Sequence, residues 1–181
     1  MNLSRQTRTL ASVCGLFSVV HGTTAVSATP PEACSLLSAS EVTKISGDDA
    51  TISFNNTKVD EKGTTISLCV YSTSRRGPNL AVTLRLHTYK SEAEAREFMT
   101  KYGDKKAYGT SFKEERGDVI APDKVAGLPG VFHSLNGGGE MSTQKGNLVI
   151  SAGVTRTGAD GKRTADREKS RSMLAALLAK L

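Results

Sequence analysis

Hydrophobic and polar positions alternate along this chain with two periods, and each change of period marks an element. Ser38-Ala-Ser-Glu41 spells a capping box, in which the Ser38 hydroxyl accepts the Glu41 N–H while the Glu41 carboxylate reaches back. Val42 and Ile45 share a face of the helix it opens, Leu36 and Leu37 anchor it, and Gly47 ends it. Three strands are predicted next. Residues 51–56 place Ile52 and Phe54 on one side; 64–72 alternate Ile66, Leu68 and Val70 against Ser67, Cys69 and Tyr71. Residues 79–89 put Leu80, Val82, Leu84 and Leu86 on one face and Ala81, Thr83, Arg85, His87 and Tyr89 on the other. The turn Ser74-Arg-Arg-Gly-Pro78 makes a hairpin of the second and third strands.

A period of 3.6 then returns. Ser91-Glu-Ala-Glu94 is a second capping box, Ala95, Phe98, Met99 and Tyr102 form one apolar stripe, and Gly103 closes the helix. Residues 104–123 are polar and weakly patterned, which predicts an exposed loop with at most a short strand near Phe112 or Val119. After Val125-Ala-Gly-Leu-Pro-Gly130 a meander is expected: 131–135, through Asn136-Gly-Gly-Gly139 to 140–145, through Gly146-Asn147 to 148–154. Beyond Gly158-Ala-Asp-Gly161, Thr164 is placed to cap a last helix with Asp166 in its first turn. Its stripe is Met173, Leu174, Leu177, Leu178 and Leu181, with Arg167, Lys169 and Arg171 facing water. Helix, three strands, helix, three strands, helix is an α+β order: an antiparallel sheet of about six strands packed with helices, in one domain over 34–181.

The N-terminus modifies this picture. A basic start with Arg5 and Arg8, an apolar stretch from Leu10 to Val20 and the small residues of Val26-Ser27-Ala28 have the layout of a secretory signal peptide, cleaved near Ala28. Residues 29–33 then form a flexible lead-in. The formal balance of 24 Lys and Arg against 18 Asp and Glu, +6, becomes 22 against 18, +4, once Arg5 and Arg8 are removed. With 23% charged residues and no long uninterrupted apolar run, neither a membrane-spanning nor a disordered chain fits. The expected location is outside the cytoplasm, periplasmic or secreted. Cys14 leaves with the leader, so Cys34 and Cys69 remain in a compartment that permits a disulfide; the alternative is two separate buried thiols.

Cys34-Ser-Leu-Leu-Ser-Ala-Ser-Glu-Val42, Gly47, Cys69-x-Tyr71, the Ser91 helix start, Val125-Ala-Gly-Leu128 and the Leu-rich final helix carry a resemblance. The chain resembles small bacterial exported and cell-envelope proteins of unknown function, several of them lipoproteins. The likeness implies an exported α/β sandwich of the PsbP-like type and brings no catalytic residue with it.

Candidate chemistry is sparse. His87 and His133 belong to no cluster with zinc spacing, so no metal or other cofactor is expected. Ser142-x-x-Lys145 has the spacing of a serine–lysine acyltransferase but sits at a strand end without companion motifs. One surface stands out: Tyr71, Arg85, His87 and Tyr89, expected together on the face opposite the apolar side of the central hairpin, where aromatic rings and a guanidinium could bind a ligand or partner. Arg75, Arg76, Lys105, Lys106, Lys162, Arg163, Arg167, Lys169 and Arg171 suit attraction to an anionic envelope component or an acidic protein rather than specific nucleic-acid recognition. The expected role is a non-enzymatic envelope protein that binds another exported protein or an envelope ligand. The alternative is a periplasmic hydrolase or small-ligand carrier whose site is assembled from scattered residues.

Overall fold

The computed structural model describes residues 29–73 and 79–181; the segment 1–28 expected as a signal peptide and the segment 74–78 expected as a turn lie outside the described residues. Two short helices, α1 (Ala33–Leu36) and α2 (Ala39–Ser46), precede a meander of β1 (Thr51–Val59), β2 (Thr65–Ser72) and β3 (Asn79–Thr88). Helix α3 (Glu92–Tyr102) and two 3-10 turns, Lys105–Ser111 and Glu114–Arg116, lead to β4 (Val119–Val125), β5 (Leu128–Leu135), β6 (Gly138–Lys145) and β7 (Leu148–Thr157). A short β8 (Arg163–Ala165) and α4 (Arg167–Leu178) complete the described fold.

Among the described residues eight strands, rather than about six, form one sheet in the order β1-β2-β3-β7-β6-β5-β4, with β8 pairing β7. Every pairing is antiparallel, so the α+β character stands. The additional strands are β4, which starts at Val119 where at most a short strand in an exposed loop is expected and extends to Val125, and β8, expected as the approach to the last helix. Both are polar and exposed in part, which hides the period-2 signal that reveals a half-buried strand. Because Thr164 is taken up in β8, Asp166 caps α4 instead, its side chain accepting the Lys169 N–H at 3.0 Å.

One face of the sheet carries α1, α2 and α4 over a fully buried apolar layer. Leu80, Val82, Leu84 and Leu86 of β3 lie beside Ile150, Ala152 and Val154 of β7, and Met173, Leu174 and Leu177 close the layer from α4. The capping box of α2 forms as its residues require: the Glu41 N–H donates to Ser38 Oγ at 3.3 Å and the Ser38 N–H to Glu41 Oε2 at 2.8 Å. The Ser38 backbone N–H, with Lys180 beside it, holds the Glu41 carboxyl at about 2. Cys34 of α1 is bonded to Cys69 of β2 with Cα atoms 5.1 Å apart, which ties the first helix to the second strand. Arg167, Lys169 and Arg171 are not simply solvated. Arg167 and Arg171 pair with Asp123 of β4 at 2.7 and 2.8 Å, and Lys169 donates to the Ser46 carbonyl that ends α2.

Candidate functional site

The second face of the sheet is covered only in part. Alternation in β3 sends Thr83, Arg85 and His87 to it, and the pairing register adds Ile66, Leu68 and Val70 from β2 and Val149, Ser151 and Gly153 from β7. Helix α3 lies over the β6–β7 side and lays down a row of rings. Phe98 is 5.6 Å from His87, 5.7 Å from Tyr89 and 5.6 Å from Tyr102; Tyr102 and Tyr108 each lie 4.8 Å from His133. The segment expected as an open loop is what delivers Tyr108, through the 3-10 turn after α3.

A tight hairpin sets the polar centre of this face. The turn between β5 and β6 consists of Asn136 and Gly137, both at positive φ (51° and 73°) as a two-residue hairpin turn demands, and it brings His133 opposite Glu140. Buried Asp118 secures that turn by accepting the Asn136 N–H at 2.9 Å; the Asn136 and Lys113 backbone donors hold its carboxyl below the ordinary range. Glu140 Oε1 accepts from Tyr102 Oη at 2.7 Å and from Arg85 Nη1 at 3.2 Å. Burial, reinforced by Glu140, drives the Tyr102 phenol far above its usual value, so it serves as a donor. Burial also lowers the His133 and His87 pKa, which favours both imidazoles in the neutral form, and buried His133 Nε2 has no hydrogen-bond partner among the described residues.

A cavity of about 230 Å³ opens beside this centre, where β7 changes partner. As far as Ala152 the strand pairs with β6, and from Thr155 with β8. Gly153 lies between, and a Cβ there would meet the Gly139 carbonyl oxygen at 2.5 Å, so only glycine permits this approach of strands. Arg85, Glu140, His133, Arg163, Thr83 and Thr155 are among the residues that line the cavity. Two roomier grooves flank α3. One, of about 400 Å³, runs past Arg96, Met99 and Gln144; the other, of about 350 Å³, runs past Lys62, Tyr89 and Lys101. Both are walled by α3 side chains already committed to the Glu92–Arg96 and Glu97–Lys101 ion pairs on the helix surface, each 2.7 Å long.

The four residues expected to share a surface therefore separate. Tyr71 is a correction: it pairs with Val82, lies fully buried on the helix-covered face and donates its hydroxyl to the Leu37 carbonyl. Arg85 lines the cavity. His87 and Tyr89 share its face but pack under and beside α3, with Tyr89 pushed up to about 12 by burial. Ile52 and Phe54 also part company, because a bulge between them turns Phe54 to the second face, leaving them 50% and 48% exposed. Of the basic residues, Lys105 is paired with Glu114 at 2.6 Å, and Arg75 and Arg76 lie outside the described residues. Ser142 and Lys145 fall on opposite faces of β6, and the Ser142 hydroxyl is engaged with that of Ser151 at 2.7 Å.

Sequence reasoning names Arg163 only as one of the basic residues suited to an anionic partner, Tyr102 only as part of the α3 stripe and His133 only as a histidine without zinc spacing; Glu140 and the meeting of these residues with Arg85 it missed. A usable sign was present: Asn-Gly read as a two-residue turn places His133 directly across from Glu140. Among the described residues no group of three or more His, Cys, Asp or Glu side chains is arranged to hold a metal ion. No protein-family model matches the chain, and neither a curated protein nor a solved structure matches it.

Proposed function

We propose that this protein is an exported binding protein of the cell envelope that takes its ligand on the second face of the sheet, in the cavity at Arg85. The observation that carries this reading is the placement of Arg85. A guanidinium in the middle of an eight-stranded sheet, its side chain 36% exposed to the cavity and steadied by a 16% exposed Glu140, is partly desolvated yet still open to a ligand, a placement that the apolar core does not require. Two further features support it. The Cys34–Cys69 bridge belongs to an oxidising compartment, and no helix among the described residues is long and apolar enough to cross a membrane.

The test is to express the chain through its own leader, with the bridge intact, and follow its amide resonances during titration with a detergent-free envelope extract. Shifts should cluster at Leu68, Thr83, Arg85 and Arg163 and vanish in Arg85→Ala. Shifts confined to α2 and α4, or none at all, would overturn the assignment.

A further inference from the structure

The chemistry of the cavity identifies the class of ligand; this deepening rests on the preceding proposal that the second face binds. Four titratable residues line the cavity: Arg85, Arg163, Glu140 and His133. Two guanidinium charges against one carboxylate, with the imidazole neutral, leave a net charge of +1, which suits one negative charge and disfavours two.

The donors are in place to receive it. Glu140 occupies only Nη1 of Arg85, and a guanidinium presents five N–H donors in a planar fork, so the Nε–Nη2 edge has no acceptor among the described residues. Across the cavity the Arg163 guanidinium lies over Gly138, where a Cβ would meet Nη2 at 2.6 Å, and it makes no hydrogen bond or ion pair among the described residues. Two guanidinium-bearing residues line this one small cavity, and a planar fork is the donor that suits the bidentate geometry of a carboxylate.

Size and surroundings indicate the rest of the ligand. About 230 Å³ is smaller than a complete small-molecule site, commonly about 300–1,000 Å³, so the cavity accommodates a head group while the body lies outside. The body has an apolar track. Leu68 sits across from Arg85, Val70 across from Thr83, and Phe54 across from Val70, all on the second face and none of them fully buried. We propose that the cavity binds the carboxylate of a monoanionic amphiphile through Arg85 and Arg163, with its alkyl chain laid along Leu68, Val70 and Phe54.

The test uses octanoate, octanol, octylamine, octyl phosphate and acetate as probes of the bridged, exported chain, followed by calorimetry and amide shifts. Octanoate should bind saturably, and octanol, octyl phosphate and acetate each about tenfold or more weakly, with octylamine giving no saturable binding. Arg85→Lys and Arg163→Ala should each weaken octanoate by about tenfold with unchanged thermal unfolding, which separates lost recognition from lost folding. Phe54→Ala should weaken octanoate and leave acetate unaffected.

Octanol binding as well as octanoate, indifferent to Arg85→Lys and Arg163→Ala, would overturn the charge assignment while leaving the second face a binding surface. Tighter binding of octyl phosphate would overturn the monoanion assignment, and displacement of octanoate by a far weaker concentration of an oligoglutamate peptide would replace the amphiphile with an acidic protein segment. If no probe moves a second-face amide although the envelope extract does, the amphiphile proposal alone fails; if the extract is silent too, the binding reading fails with it.

Discussion

The two faces of this sheet are built from the same strands and solve different problems. On the helix-covered face, Leu84 lies next to Cys69 and Ala152, all fully buried, and α4 closes over them with Met173, Leu174 and Leu177. One residue along the same strand, Arg85 lies next to Leu68 and Ser151 on a face that α3 covers incompletely, and its partner is a carboxylate held by a tyrosine. The first face is dry and apolar, which is how a small domain stabilises itself; the second holds charge and hydroxyls in the sheet centre, which costs stability and provides recognition. The contrast teaches that the disulfide serves the first face: it attaches α1 under Cys69, and the second face is left free of a comparable clamp.

The sharpest way to break the comparison is to remove that clamp. Replacing both Cys34 and Cys69 by alanine should cost about 4 kcal/mol on the chain-entropy model for residues 35 apart, read as a lower denaturant midpoint. Next comes a matched pair. Leu84→Ala should cost about 2–5 kcal/mol, whereas Leu68→Ala, half-open on the other face, should cost under about 1 kcal/mol. Equal losses would show that both faces contribute alike to the core. Tyr71→Phe should cost about 1–2 kcal/mol, since it strips the Leu37 carbonyl of its donor, and should leave octanoate binding intact because Tyr71 faces the helices.

The smallest effects separate the faces by pH. His87 and His133 on the second face have folded pKa values below 6.5, so the unfolded chain takes up protons first and stability declines as pH falls through and below 6.5. At Asp123, which anchors α4, burial alone would raise the carboxyl, but donation from Arg171 and Arg167 outweighs it and holds the value at about 2 against an ordinary 3.8. Its contribution is complete above about pH 4 and is lost as pH falls towards 2. Urea titrations across pH should show two steps, with His133→Gln reducing the upper one and Asp123→Asn reducing the lower one, to which Glu41 and Asp118 also contribute. An upper step that is absent in the parent chain would show that the histidines make no contribution.

How much of this was legible depended on the range of the interaction. The capping box at Ser38, the Ser91 hydroxyl cap of α3 (where Glu94 turns to the Lys90 N–H and so does not close the expected box), the stripe of α3, the alternation in β2 and β3 and the last two hairpin strands follow from residues within a few positions of one another. Of the four predicted site residues Arg85, His87 and Tyr89 lie on the face their alternation suggests, but only Arg85 lines the cavity, and Glu140, brought in from 55 residues away, is not foreseen. The instructive failure is Tyr71. The alternation within β2 holds, but its pattern by itself phases Ile66, Leu68 and Val70 with the leucines of β3, whereas the register pairs Cys69 with Leu84 and Tyr71 with Val82. The bridge to Cys34 carried the missing information: a cysteine bonded to a helix on the core side must point to the core, and Tyr71 points with it.

Residue pattern alone thus dictates which segments are helix or strand and which residues of one strand share a side, because capping and pleat are local and obey short, steric rules. Which side of one strand joins which side of the next, where β7 exchanges β6 for β8, and that Arg85, Glu140, His133 and Arg163 meet around one cavity were decided by strand register and helix docking. Register is a collective choice: a shift of one residue turns a whole strand over, so the energy that selects it comes from burying Leu84, Cys69 and Met173 together rather than from any segment by itself.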